Sequence, residues 1–233
     1  DVMLAGGAES TVTPLAIGAF AQMRALSQRN DSPEAASRPY DADRDGFVLG
    51  EGSVVFVLEE HEQAVKRGAR IYAELCGYGA SADAYHLSSL APGAEGSARA
   101  MQAALDRAGL KATDIDYVSA HATSTPGGDG EEAAAIATVF ADNKANLHVS
   151  GVKSMTGHLL GGAGAMGTFA AVMAIHDGIV PPTINLANVD PVCAATGLNF
   201  TPNVAVKKPV RAALANSFGF GGTNASIVVA KVG

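Results

Sequence analysis

Apolar and polar positions along the chain change period several times, and each change marks an element. "DVMLAGG" is a short apolar run closed by a Gly pair, the signature of a buried strand. "PLAIGAFAQMRAL" has helical spacing, with Leu15, Phe20, Met23 and Leu26 as its apolar side. Residues 27–47 form a long polar loop with turn chemistry at Asn30-Asp31 and Asp45-Gly46. Loops this long inside a compact domain are usually functional. "GSVVFVLEE" is a continuous apolar strand of the kind covered on both faces. "HEQAVKRGA" is a short helix with Gly68 near its stop.

A second unit starts near residue 71. "IYAELCGYGAS" predicts a strand. "GSARAMQAALDRAGL" predicts a helix capped by Ser97 or Gly96 and stopped by Gly109. "ATDIDYVSAHA" runs from a turn into a strand, and "GDGEEAAAIATVF" is a helix with acids in its first turn, where the helix dipole favours them. "LHVSGV" is a strand, and "GHLLGGAGAMGTFAAVMAIHDG" reads as one long, central, small-residue helix. "RAALANSFG" and "NASIVVAKV" are closing strands around a Gly-rich turn. Strands alternate with helices, so the expected class is α/β with a largely buried sheet. The expected division is residues 1–70 and 71–233.

Composition narrows the function classes. The 233 residues are ample for a core, and 16 Lys and Arg against 23 Asp and Glu give a net charge of -7. That balance argues against general nucleic-acid binding, which needs a basic face. Arg24, Arg29, Lys66, Arg67 and Arg70 are either a local basic patch for an acidic partner or scattered surface charge. No apolar run reaches the roughly 20 residues of a membrane span. No signal peptide is visible, and the chain begins without Met, apparently inside a strand, which reads as a fragment or a processed chain. Cys76 and Cys193 make no disulfide or metal framework and fit a reducing cytoplasm. Cys76 is expected to be an inert core thiol and Cys193 to lie in a loop; neither has a histidine or helix start beside it to lower its pKa.

Chemistry concentrates in three stretches. "HATSTPGGD" and "KSMTGHLLGGAGAMG" each place a histidine, His121 and His158, where a strand ends and a helix follows. Sites in α/β sheets gather there. Two neutral imidazoles at that place can each donate a hydrogen bond to a developing oxyanion, holding one thioester carbonyl from two sides. The alternative is a pair of core histidines satisfied by backbone. Lys153 is either a buried lysine at the edge of the site, lowering the basicity of its neighbours, or an exposed lysine at a strand end. In "NSFGFGGTNAS", the glycines allow backbone N–H groups to approach a ligand. Phe218 and Phe220 would form a movable apolar wall there, or the stretch is a tight hairpin and nothing more. The hydroxyls of Thr123, Ser124 and Thr125 suit a ligand rich in amides and hydroxyls, or only cap the turn before Pro126.

Six stretches together, "AGGAES", "ASRPYDADRDGFVLGEG", "AHATSTPGGD", "KSMTGHLLGGAGA", "PPTINL" and "NSFGFGGTN", resemble the β-ketoacyl-[acyl-carrier-protein] synthases, above all the type II elongating condensing enzymes of fatty-acid synthesis. The resemblance covers essentially the whole chain. It implies the thiolase fold, two α/β halves with five-stranded mixed sheets, with this chain holding the end of the first half and the whole second half. It implies decarboxylative Claisen condensation of an acyl-enzyme with a malonyl thioester on acyl carrier protein. His121 and His158 would serve the malonyl thioester, and Lys153 matches the family's active-site Lys. Thr123 and Thr125 match residues on the pantetheine arm, Phe20 the acyl pocket, and Arg24 a contact to the acidic carrier. Phe220 matches the gating Phe, with Phe218 beside it, and its backbone N–H would share the oxyanion hole. A homodimer with the first strand near its interface, a cytoplasmic location, and no cofactor or metal are implied as well.

Three departures accompany the resemblance. The family's nucleophilic Cys belongs to the segment before "DVMLAGGAE", and neither Cys76 nor Cys193 stands in its motif, so activity would need a Cys-bearing portion in the same or another chain. Ser119 stands where the family commonly has Asn, and Gly167 where it commonly has Glu, two residues tied to a structural cation or to the Lys. Alternatives are a non-catalytic partner subunit of the chain-length-determining kind, against which the retained His121, His158, Lys153 and Phe220 argue, and a polyketide-type ketosynthase.

Overall fold

A computed structural model describes all of residues 1–233. The elements in chain order are β1 (Val2–Glu9), α1 (Pro14–Gln22), β2 (Gly52–Glu59), α2 (His61–Lys66), β3 (Glu74–Ala82), α3 (Glu95–Ala108), β4 (Tyr117–Ser119) and α4 (Gly128–Val139). They continue with β5 (His148–Ser150), α5 (Lys153–Thr156), α6 (Ala163–Asp177), β6 (Ile179–Val180), α7 (Pro191–Ala194), β7 (Val206–Lys207), β8 (Ala212–Gly219) and β9 (Thr223–Ala230). The main sheet has five strands in the order β3-β9-β8-β4-β5. It is mixed: β4 runs parallel to β5 and β8, whereas β9 is antiparallel to β3 and β8. The α/β class and the five-stranded mixed sheet are as the sequence implies.

Strand alternation sorts this sheet's side chains onto two faces. Val118, Leu214 and Val228 join Met101, Leu105, Ile136 and Phe140 under α3 and α4 in one cluster of 23 buried residues. Tyr117, Ala213, Ala215 and Val229 face α6 in a second cluster with Ala171, Ala174 and Ile175. Gly77 and Gly79 let α3 lie directly on β3, because a Cβ at either position would strike the carbonyl oxygen of Ala104 or Ala100.

The first unit differs from its expected burial. β1 and β2 pair antiparallel as a separate two-stranded sheet. Val2, Met3 and Leu4 are 60–69% exposed, and Val55 and Val57 are 64% exposed. Both strands were expected to be buried. Their apolar runs meet that description chemically, but only α6 and the turn 160–162 before it pack against the pair to any extent. α1 ends at Gln22, short of Leu26, and buries no residue. Leu26 instead bridges to Phe47.

The structure also departs from the sequence expectation at the start of α3, at residues 157–178 and at both cysteines. α3 is capped neither by Ser97 nor by Gly96: its N-cap is Ala94 in a left-handed conformation, and Ser97 lies inside the helix with its hydroxyl donating to Asn224 Oδ1 at 3.1 Å. The stop at Gly109 is as expected, with φ 66°. Residues 157–178 are not one helix. The loop before β2 captures His158: Val48 O accepts from His158 N at 2.7 Å, and Gly50 N donates to His158 O at 3.0 Å. Gly157 (φ 68°) and Leu160 (φ 45°) bend the chain around that pairing before α6 begins. Cys76 is only partly buried, and Cys193 lies fully buried at α7 rather than in an open loop. Burial pushes the Cys193 thiol up to about 12, which leaves it unreactive.

Candidate active site

Three neighbouring parallel strands deliver the site from their carboxyl ends. β4 ends at Ser119, two residues before His121. β5 ends at Ser150, and the single-turn helix α5 opens with Lys153 and leads through Gly157 to His158. β8 ends with Ser217, Phe218 and Gly219. The two histidine rings meet edge to face, with centroids 5.4 Å apart and planes at 84°. Phe218 lies 5.8 Å from His121, and Phe47 lies 5.2 Å from His158. A cleft of about 600 Å³ opens on them. Its walls include Arg24, Thr123, Thr125, Phe218 and Phe220. Phe20 stands behind the wall, edge-on to Phe47 at 5.3 Å and 6.5 Å from Phe220.

Both histidines are neutral at physiological pH. Burial, with the nearby Lys153 charge as a second cause, pushes His158 down to about 3. Burial first, then Lys153 and His158, holds His121 well below its ordinary range. His158 Nδ1 accepts a hydrogen bond from Leu160 N at 3.1 Å. Its proton therefore sits on Nε2, making that atom a donor. His121 Nδ1 is buried without a protein partner, so the protein leaves this ring's tautomer to be set by what binds.

Lys153 does not line the cleft. It is buried behind the histidines and donates to the backbone carbonyl of His121. Burial lowers it to about 8, against the pull of Glu132 and Asp129, which raise it. Glu132 is also buried, and burial raises it despite the N–H groups it accepts. Its oxygens accept from His121 N at 2.8 Å and Ala122 N at 2.7 Å, and Asn216 Nδ2 donates to it at 3.1 Å. Ser226 Oγ donates in turn to Asn216 Oδ1 at 2.7 Å. A chain of contacts thus runs from β9 through β8 and α4 to the histidine turn.

Sequence reasoning missed Glu132 and Asp129 as site residues. It placed them as acids favourable to the α4 dipole, and only their i, i+3 spacing hinted at a shared face. It also missed Phe47 and the segment Ser88–Leu90, which lines the cleft. Ser119 Oγ is buried and unpartnered, and a Cβ on Gly167 would come 3.5 Å from it. No cluster of three or more His, Cys, Asp or Glu stands together as a metal-ligand set. No helix is long and apolar enough to cross a membrane.

Comparison with known proteins agrees with this geometry. Residues 1–64 match the family described as beta-ketoacyl synthase, N-terminal domain, and residues 72–187 match beta-ketoacyl synthase, C-terminal domain. The chain is 53% identical to the 3-oxoacyl-[acyl-carrier-protein] synthase 2 of Coxiella burnetii, covering 100% of this chain and 55% of that protein. It is 52% identical to a mitochondrial 3-oxoacyl-[acyl-carrier-protein] synthase of Arabidopsis thaliana, covering 100% of this chain and 50% of that one. Among solved structures, a type II PKS ketosynthase in complex with its acyl-carrier protein superimposes with a TM-score of 0.96 at 39% identity, covering 100% of this chain and 57% of that one. A beta-ketoacyl synthase from Burkholderia phymatum gives 0.93 at 41% identity, covering 100% and 55%. The chain spans about half the length of the curated relatives it matches.

Proposed function

The chain belongs to the β-ketoacyl synthase family, and from that premise we propose that it is the histidine-bearing portion of a condensing enzyme that elongates acyl chains on acyl carrier protein. The single observation that carries the reading is the pair of neutral histidines, edge to face at the carboxyl ends of β4 and β5, opening on one cleft. Neutral donors suit a thioester carbonyl that gains negative charge, because the cleft supplies them already oriented and stripped of water.

In this reading a malonyl thioester places its carbonyl oxygen against His121 and His158. The bond from the methylene carbon to the carboxylate breaks, CO₂ leaves, and the electron pair becomes a thioester enolate that the two imidazoles stabilise. The enolate carbon attacks the acyl thioester held on a cysteine thiol. The tetrahedral oxyanion meets the backbone N–H of Phe220, the thiolate is expelled, and a 3-oxoacyl chain remains on the carrier. The thiol is assigned to a portion outside residues 1–233, since Cys193 is buried and Cys76 stands on β3, away from the cleft lining. Lys153 orients His121 through its carbonyl.

The remaining roles follow the same reading. Thr123 and Thr125, which share a hydrogen bond at 3.0 Å, meet the amides of the pantetheine arm, and Phe20 borders the acyl end. Arg24, exposed at the cleft rim, meets the acidic carrier, and Phe220 gates. The boundary between halves falls near residue 70. The exposed apolar side chains of β1 support a homodimer contact there. The protein works in the bacterial cytosol or an equivalent organelle compartment and needs no cofactor beyond the carrier's phosphopantetheine.

The test is CO₂ release from malonyl-carrier by the full-length protein. Release by the wild type and its loss in His158→Ala, with folding intact, is the expected result. A His158→Ala protein that decarboxylates at the wild-type rate would remove the assignment.

A further inference from the structure

The turn that presents Thr123 and Thr125 holds an unusual backbone. Ala122 and Ser124 both have positive φ, 35° and 69°, which non-glycine residues keep only where surrounding structure over-determines them. The restraint comes from the loop 38–46, some eighty residues earlier in the chain. Gly46 N donates to Ser124 O at 3.0 Å, and Arg38 N donates to Ser124 Oγ at 2.9 Å. Asp129 accepts from Ser124 N at 3.1 Å and from Tyr40 N at 2.9 Å.

Arg44 is the centre of this loop's grip. Its side chain is 4% exposed. Nε donates to Thr125 O at 2.9 Å and Nη2 to Pro126 O at 2.7 Å. Nη1 donates to Asp41 O at 2.9 Å and to Asp190 Oδ2 at 2.6 Å. A planar fork of fixed geometry suits two successive carbonyls plus a carboxylate, and a point charge such as lysine cannot reproduce it. Arg44 itself does not line the cleft.

We propose that Arg44 is a positioning residue for the amide-bearing arm of the substrate. By fixing the carbonyls of Thr125 and Pro126, it sets the two threonine hydroxyls where the arm meets them. This rests on the reading above that a pantetheine arm lies along those threonines. Without the guanidinium, the part-buried carbonyls of Thr125 and Pro126 lose this donor, the Asp190 carboxylate keeps only Val192 N, and the stretch 125–126 is free to shift. Recognition of the arm then weakens, while the histidine end, held separately by Glu132 and Lys153, keeps its geometry.

The experiment compares Arg44→Gln and Arg44→Lys with wild type in the full-length protein. CO₂ release is followed from malonyl-pantetheine and from malonyl ethyl thioester, which has no amide arm. The expected result for Arg44→Gln is a KM for malonyl-pantetheine raised about tenfold or more with kcat within about twofold, and an unchanged KM for the ethyl thioester. Arg44→Lys should fall between; should Arg44→Gln fail to fold, Arg44→Lys carries the same comparison. Equal losses on both thioesters, or no change on either, would overturn the proposal. Calorimetric binding of pantetheine alone, expected to weaken about tenfold in the variants, separates this proposal from the reading beneath it. A wild type that binds pantetheine but releases no CO₂ defeats the decarboxylation reading, and the variants' affinities still decide Arg44. A wild type that binds no pantetheine overturns the Arg44 proposal itself.

Discussion

The Lys153 ammonium donates to the backbone carbonyl of His121, while the N–H of the same residue donates to Glu132. The two sides of His121 are therefore held between a buried cation and a buried carboxylate. A buried charge is costly unless paired and hydrogen-bonded, and here the compensation is the turn that carries the histidine. The pair does more than neutralise itself: it fixes the direction in which the His121 ring enters the cleft, and its positive member adds to the burial that keeps both imidazoles uncharged.

That arrangement sets an alkaline limit. Lys153 sits at about 8, below its ordinary value. As pH rises through 8 the charge is lost, and the charge-assisted hydrogen bond that grips His121 weakens to a neutral amine's. The kcat for malonyl decarboxylation is expected to fall over this range in the full-length protein. Lys153→Met should slow the reaction by on the order of 100-fold, a typical cost of one well-placed polar group, and should erase the limb near pH 8. CO₂ release measured from pH 6 to 10 checks both. A limb that persists in Lys153→Met belongs to another group.

The histidines set an acid limit on stability rather than on protonation for catalysis. The folded value of His158 is depressed to about 3 from an ordinary value near 6.5. For a depressed basic group, the stabilising contribution is present above the unfolded value and is lost as pH falls from 6.5 toward 3. Allowing for partial exposure, this amounts to on the order of 3 kcal/mol. His158→Phe should therefore unfold at lower pH than wild type, even where it is the less stable protein at pH 7. Urea denaturation at pH 4.5 and pH 7 gives the comparison: the urea midpoint should drop less between those pH values in the variant.

Glycine at the β3–α3 contact makes a sharper claim about the fold. A Cβ at Gly79 would collide with the Ala100 carbonyl and approach Ala104 N at 2.7 Å. Backbone on the far side cannot swing away as a side chain could. Gly79→Ala is expected to destabilise by about 3 kcal/mol, the upper part of the range for overpacking a close-packed interior. Chemical denaturation measures it, and a loss below 1 kcal/mol would mean that α3 shifts on the sheet at little cost.

How much of this was legible in the sequence depends on whether the determinant was local. The stop at Gly109 and the β8–β9 hairpin around "GFGG" followed from nearby residues and appear where expected. His121, His158, Phe218 and Phe220 did come together in one cleft. β1 and β2 were misjudged because an apolar run reports what a strand can bury, not what lies over it. The break at Gly157–Gly162 was hidden for a different reason: Val48 and Gly50, more than a hundred residues earlier, capture His158. Arg44 and Asp129 were invisible as site residues, since the partners that tie the two segments together, Thr125 for Arg44 and Tyr40 for Asp129, lie over eighty residues away and only the folded chain brings them together.

Phe220 gives the last test, because its position is neither core nor ordinary surface. It stands 52% exposed at the hairpin tip, with its ring 6.5 Å from that of Phe20 behind the cleft wall. The next residue's N–H donates to Leu87 O at 2.7 Å, so the tip is tied to the start of the segment Ser88–Leu90 that lines the cleft. A ring so placed can close over one substrate end and open for the other by moving the tip alone. Phe220→Ala should loosen the order in which acyl and malonyl substrates enter. Malonyl thioester would then be decarboxylated before an acyl group is in place, and CO₂ would be released in excess of 3-oxoacyl product. The ratio of the two, expected to be about one in wild type and severalfold higher in the variant, reads this directly, since each condensation consumes one enolate for each CO₂. An unchanged ratio and unchanged substrate-order kinetics would place Phe220 outside the gate.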